Sequence, residues 1–168
     1  REVNECDLPL TETMHWLNRR ASEYIDAGTD LGALAFELDL EVRQLRWVCA
    51  GLGEIRVATK EISGVIARSG SFLGAGPDQS FTADTIAFDV GDSFYFMTKD
   101  LSDRLKARTE LALQPFAEMV AMLQLLSTDD QRLDDATAVC IHVRSLPHSK
   151  LRQSGWPRVL RFNGFSDY

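Results

Sequence analysis

Cysteine is scarce and scattered in this sequence. Cys6, Cys49 and Cys140 are the only three in 168 residues, and there is no CxxC pair and no cysteine–histidine cluster. That excludes a disulfide framework and argues against a structural zinc site. Cys49 and Cys140 sit in apolar runs and read as small hydrophobes, which suits a reducing cytoplasm. Long apolar stretches are missing too: none approaches the roughly 20 residues that cross a bilayer, and no secretory leader pattern is present. Positive charge is in deficit, with 18 Lys and Arg against 25 Asp and Glu, a net charge of -7 and a pI near 4.9. Nucleic-acid binding depends on neutralising phosphates with Lys and Arg, so this balance speaks against such a partner. Gly74-Ala75-Gly76 lacks the Lys-Ser/Thr step of a P-loop. His15, His142 and His148 form no Ser/His/Asp order.

What is present is the composition of one ordinary globular domain, 45% hydrophobic and 26% charged, long enough to bury a core without staples. Residues 10–27 carry Met14, Leu17, Ala21, Tyr24 and Ile25 at helical spacing, with Thr11 as the N-cap candidate and Gly28 at the end. Leu31 to Leu40 and Leu45 to Ala50 read as strands around a turn at residues 41–44. Ile55–Ala58, Ile86–Phe88, Ser93–Met97 and Ala136–Val143 are further strands, and residues 69–79, rich in Gly, Ser and Pro, are a loop. Helical patterns cover residues 101–107 and 111–126, the second with Pro115 in its first turn. Strand hairpins with helices outside predict an α+β fold, an antiparallel β-sandwich flanked by helices.

Composition shifts after Val143. Residues 144–168 interleave Arg144, Lys150, Arg152, Arg158 and Arg161 with Trp156, Phe162, Phe165 and Tyr168. We therefore expect a body over residues 1–143 and a basic, aromatic extension over 144–168 that packs back on the acidic body or meets a partner. The chain opens on Arg1 rather than a methionine, which reads as an expressed piece, a processed product or part of a longer frame.

Four segments in order then carry a resemblance. They are Leu17-Asn18-Arg19-Arg20, the stretch from Gly32 to Gly51, Phe72-Leu73-Gly74 with Asp89-Val90-Gly91-Asp92 through Thr98, and Asp134-Asp135-Ala136-Thr137. Together they resemble the later part of a SpoIIE-like or RsbU-like serine/threonine phosphatase domain of the PPM family, over about residues 8–143. The resemblance implies a two-sheet sandwich whose acidic end holds two Mn²⁺ or Mg²⁺ ions. Such ions take oxygen ligands and activate a water, so no covalent nucleophile is expected. It implies a partner-switching setting, with a phosphorylated regulatory protein of the anti-sigma-factor antagonist type as partner; a homodimer is compatible with it.

Several positions depart from the family's pattern. Lys99 stands where the resemblance implies a metal-binding Asp, and Asp100 where it implies Gly. Leu52 replaces a His after Ala50-Gly51. The family's first part, with its early acidic pair, is lacking, and nothing before Leu10 replaces it. Asp134 is the implied metal ligand in place, and Asp100 is a second candidate; Asp135 reads as structural. Without the resemblance, Asp92 is a turn residue, Asp100 and Asp103 complement a helix dipole, and the Asp134–Asp135 pair caps a strand. Two functions follow: a metal-dependent regulatory phosphatase, or a pseudophosphatase that kept the sandwich and works by binding.

Overall fold

The computed structural model describes residues 9–25, 29, 31–60, 62–68, 70–107, 114–128, 136–146 and 159–167. Its elements in chain order are α1 (Leu10–Tyr24), β1 (Leu31–Asp39), β2 (Gln44–Ala50), β3 (Glu54–Ala58), β4 (Ser63–Arg68), β5 (Asp84–Ala87), β6 (Ser93–Met97), α2 (Lys99–Lys106), α3 (Phe116–Thr128), β7 (Ala138–His142) and β8 (Val159–Asp167). The strands form two antiparallel sheets of four, ordered β5-β2-β1-β8 and β4-β3-β6-β7. This is the expected α+β sandwich.

Two-sided burial explains the strand sequences. Leu34, Phe36, Leu38, Leu45 and Trp47 of the first sheet meet Ile55, Val57, Phe94 and Phe96 of the second. Phe36 stacks on Phe96 with ring centroids 5.7 Å apart, and Trp47 meets Phe96 edge-on at 6.3 Å. The opposite face of β1 and β2, carrying Ala33, Ala35, Val48 and Ala50, receives Leu10, Met14, Leu17 and Ala21 of α1. Small residues face the helix and large ones the facing sheet. Consequently β1 reads as a nearly continuous apolar run rather than an alternation. Beyond the second sheet, Tyr95 and Met97 pack under Leu101 and Leu105 of α2 and Met119, Leu123 and Leu126 of α3. The result is four layers, helix–sheet–sheet–helix.

Local chemistry shifts several boundaries from the sequence expectation. Pro9, not Thr11, is the N-cap of α1, because its carbonyl accepts the first helical bond from the Thr13 amide at 2.9 Å. The helix stops at Tyr24, where Ile25 turns extended, and Gly28 lies outside the described residues. Helix α2 opens two residues before the expected start. Helix α3 begins at Phe116, where the Pro115 carbonyl accepts from the amides of Glu118 and Met119, and residues 111–113 of the expected helix lie outside the described residues. Strand β4 was not expected at all. It follows a turn in which the Thr59 amide donates to the Ile62 carbonyl at 2.8 Å and the Thr59 hydroxyl accepts from the Ile62 amide at 2.9 Å.

The tail contributes a strand of its own. Between Val159 and Asp167, β8 pairs with the whole of β1, from Leu31↔Asp167 to Asp39↔Val159. Without β8, β1 would be a long edge strand buried on both faces, a ready template for another chain. Deleting residues 144–168 is therefore expected to lower the thermal midpoint and to cause concentration-dependent association in light scattering. A monomeric deletion variant with an unchanged midpoint would contradict this role for β8.

Candidate functional site

Part of each of the four segments behind the resemblance lies at one end of the sandwich: Asn18, Gly51, Leu73 and Gly74 with Thr98, and Thr137. There β1 starts, β2 ends, β3 starts, β6 ends and β7 starts, and the opposite end carries the turns at residues 40–43, 59–62 and 89–92.

Asn18 ties the first segment to the third. It is fully buried on α1; its Oδ1 accepts from the Gly74 amide at 2.9 Å, and its Nδ2 donates to the Gly76 carbonyl at 2.8 Å. Gly74, at φ +80, rests against Ala21 of the same helix, and the Leu73 amide donates to the Leu31 carbonyl at 2.9 Å. The Gly74-Ala75-Gly76 stretch is thus clamped by an asparagine. Phe72 joins the second segment to this loop. A Cβ on Gly51 would fall 2.0 Å from the Phe72 ring, and Gly51 has φ +63, so only glycine serves there.

The third and fourth segments meet through two threonines. The buried Thr98 donates its amide to the Thr137 carbonyl at 3.0 Å, and its hydroxyl accepts from the Thr137 amide at 3.3 Å. Committed in this way, the Thr98 side chain makes no capping bond to α2. Gly53 lets the β2–β3 turn press onto the start of α2. A Cβ there would meet Ser102 Cβ at 2.6 Å and the Thr98 carbonyl oxygen at 3.0 Å.

Four charged groups at this end are paired: Glu54, Arg56, Asp103 and Lys106. Glu54, with a side chain 6% exposed, accepts from Arg56 Nη2 at 3.1 Å through Oε2 and faces Lys106 Nζ at 3.3 Å through Oε1. Its backbone amide donates to Ser102 Oγ at 3.2 Å. Lys106 Nζ also donates to Asp103 Oδ1 at 2.8 Å. A carboxylate this buried needs such partners. Glu54 and its cations carried no signal in the sequence reading; the one cue is an acid two residues before an Arg in an apolar strand.

Lys99 and Asp100 are the first residues of α2 and are exposed. Asp100 occupies the first turn, where a carboxylate complements the helix dipole. Asp134 and Asp135 lie outside the described residues, as do Cys6 and His148. Asp92 is buried in its turn, its Oδ2 accepting from the Asp89 amide at 2.8 Å, which is the turn role read from the sequence. The described histidines stand apart. His15 of α1 meets Phe81 edge-on at 5.3 Å, while His142 of β7 shares a 2.9 Å hydrogen bond with Ser93 and stacks on Phe116. Cys49 and Cys140 are half-buried against the core. No group of three or more His, Cys, Asp or Glu side chains able to hold a metal ion occurs among the described residues.

No protein-family model and no curated protein matches the sequence. Solved structures do share its fold. RsbX in complex with magnesium aligns at a TM-score of 0.58 and 16% identity, over 82% of this chain and 65% of RsbX. PppA, a regulatory component of the type VI secretion system of Pseudomonas aeruginosa, aligns at 0.53 and 16%, over 79% and 67%. The phosphatase domain of SpoIIE from Bacillus subtilis, presoaked with manganese, aligns at 0.50 and 14%, over 93% and 74%. The chain thus has the fold of the SpoIIE- and RsbU-like PPM phosphatase domains, and it spans just under two thirds of RsbX. No helix among the described residues is long and apolar enough to cross a membrane.

Two predictions follow from this geometry. Asn18→Ala strands the Gly74 amide and the Gly76 carbonyl and should cost roughly 2–3 kcal/mol of stability in chemical denaturation; a loss within error of zero would remove Asn18 from its clamping role. The second concerns alkaline pH. Burial raises the Cys140 thiol above its ordinary 9.0 and the Tyr95 phenol above 10.0, while the Asp103 hydrogen bond, followed by Glu54, raises Lys106 above 10.5. A raised folded pKa contributes stability below the ordinary value and loses it as pH climbs through the raised one. The thermal midpoint should accordingly fall as pH rises from about 9, the ordinary thiol value, and Cys140→Ala should delay that onset. An onset unmoved by the substitution would assign the fall to other groups.

Proposed function

We propose that the chain is a regulatory module of the SpoIIE-like phosphatase type. Its partner would be a partner-switching protein of the anti-sigma-factor antagonist class carrying phosphoserine or phosphothreonine. The observation that supports this reading is the shared two-sheet fold, with Asn18, Gly74, Thr98 and Thr137 of the motif segments tied together at one end of it. The reading implies a cytoplasmic protein and is compatible with a homodimer.

The module has an enzymatic form and a binding form. In the enzymatic form, hydrolysis depends on Mn²⁺ or Mg²⁺ held by Asp134 and Asp100. In the binding form it is a pseudophosphatase that holds the phosphoprotein without cleaving it. One observation favours binding. The buried carboxylate at this end, Glu54, is committed to Arg56 and Lys106.

The test compares the chain with Asp134→Ala in Mn²⁺-dependent hydrolysis of a generic phosphate ester and of a phosphorylated antagonist protein, alongside calorimetric binding of the phosphorylated and unphosphorylated antagonist. The binding form predicts no hydrolysis above the Asp134→Ala control, together with tighter association of the phosphorylated partner. Mn²⁺-dependent turnover that disappears in Asp134→Ala would establish the enzymatic form. Absence of both turnover and association would overturn the reading as a whole.

A further inference from the structure

Among the described residues, β7 is an open edge of the second sheet. In the order β4-β3-β6-β7 it pairs with β6 alone, in unbroken register from Ser93↔His142 to Met97↔Ala138. Just beyond its two ends, the Val143 amide donates to the Asp92 carbonyl and the Thr137 carbonyl accepts from the Thr98 amide. Val143 and Thr137 thus turn main-chain groups towards the β6 side, and along an antiparallel ladder that direction alternates. Val139 and Ile141 therefore bond to β6, while the N–H and C=O groups of Ala138, Cys140 and His142 point away from it to the open edge.

The core runs up to this edge on both faces. Val139 and Ile141 pack against the layer between the sheets, and Ala138 and Cys140 against the layer under α2 and α3. Yet every residue of β7 is only half-buried, whereas β1, paired on both sides, is almost wholly buried. Phe116 of α3 stacks on His142 with ring centroids 4.9 Å apart. The half-buried Val120, one turn further on, shares that flank of the helix. Open edges are commonly blunted by a charge, a proline or a bulge. Strand β5 carries Asp84, and β4 has a register shift where it meets Ile55 and Arg56. Residues 136–143 hold no Asp, Glu, Lys, Arg or Pro, and the β6–β7 register has no shift.

We propose that β7 is a homodimer interface, in which the strand pairs antiparallel with β7 of a second copy about a two-fold axis at Cys140. The row is self-complementary. Ala138 stands opposite His142 of the partner subunit, small against large, and Val139 opposite Ile141 of the partner subunit. The outward main-chain groups of Ala138, Cys140 and His142 then meet donors and acceptors of the same spacing. Charge favours a second copy as the occupant. The chain carries a net charge of -7, so two copies repel over much of their surface, and this uncharged strip lets like meet like without opposing charges. A two-fold contact of this kind closes on itself as a dimer. Such a dimer is compatible with either form of the proposed function and does not depend on it.

The test combines sedimentation equilibrium of the full chain with amide hydrogen exchange at single-residue resolution, each at low and high protein concentration. The sedimenting mass should rise to twice the 18.8 kDa of the chain. With it, exchange at Ala138, Cys140 and His142 should slow by roughly tenfold or more, while Val139 and Ile141, already bonded to β6, should not change. Val120→Glu, which brings like charges to the contact, should return the chain to a monomer and abolish that slowing. The exchange pattern needs no substitution and carries the test should Val120→Glu not fold. A chain that sediments as a monomer at every concentration would overturn the proposal. So would a dimer whose three outward amides exchange as fast as in the dilute sample, or a folded Val120→Glu that remains dimeric. None of these readouts involves a phosphoprotein, so failure here leaves the phosphatase-type reading to its own test.

Discussion

The interdigitated aromatic layer between the sheets is the constraint on which the molecule depends. Phe36, Trp47, Phe94 and Phe96 are large and almost completely buried, and only two sheets face to face can cover them from both sides. Once that layer forms, the reverse face of each sheet is apolar as well and must be covered by helices. α1 covers Ala33, Ala35, Val48 and Ala50, and α2 with α3 covers Tyr95 and Met97. The four layers follow from a single requirement of burial.

The same packing decides what the functional end can be. Closing the sandwich brings β3 and α2 so near that glycine is needed at position 53, and the approach carries the Glu54 carboxylate out of water. A buried anion must be met by hydrogen-bonded cations, or it is lost to protonation or unfolding. Arg56 and Lys106 meet it. Asn18, Gly51 with Phe72, and Thr98 with Thr137 hold the surrounding loop and strand ends. These contacts frame the end, and the buried Glu54 carboxylate within it is matched by its own cations.

Much of the fold was legible because its signals are local. Alternating Leu34, Phe36, Leu38 and Leu45, Trp47, Cys49 marked the first hairpin, and the helical spacing of Met14, Leu17 and Ala21 marked α1. Strand β4 escaped because Ser63-Gly64 leads a short segment that shows no alternation. Strand β8 escaped because the basic, aromatic composition of the tail hid a partner for β1 far away in sequence. The ties between the motifs were invisible for the same reason: Asn18 meets Gly74 and Thr98 meets Thr137 only through tertiary contact. The departures at Leu52, Lys99 and Asp100 could be read directly, but the pairing of Glu54 with Arg56 and Lys106 required the approach of β3 and α2.

The central claim is that Arg56 and Lys106 hold the buried Glu54 carboxylate where β3 meets α2. The most direct measurement is a double-mutant cycle on Glu54 and Arg56 followed by chemical denaturation. The account predicts that Glu54→Gln and Arg56→Met each lower stability and that the double substitution costs less than the sum of the two. Purely additive losses would contradict it.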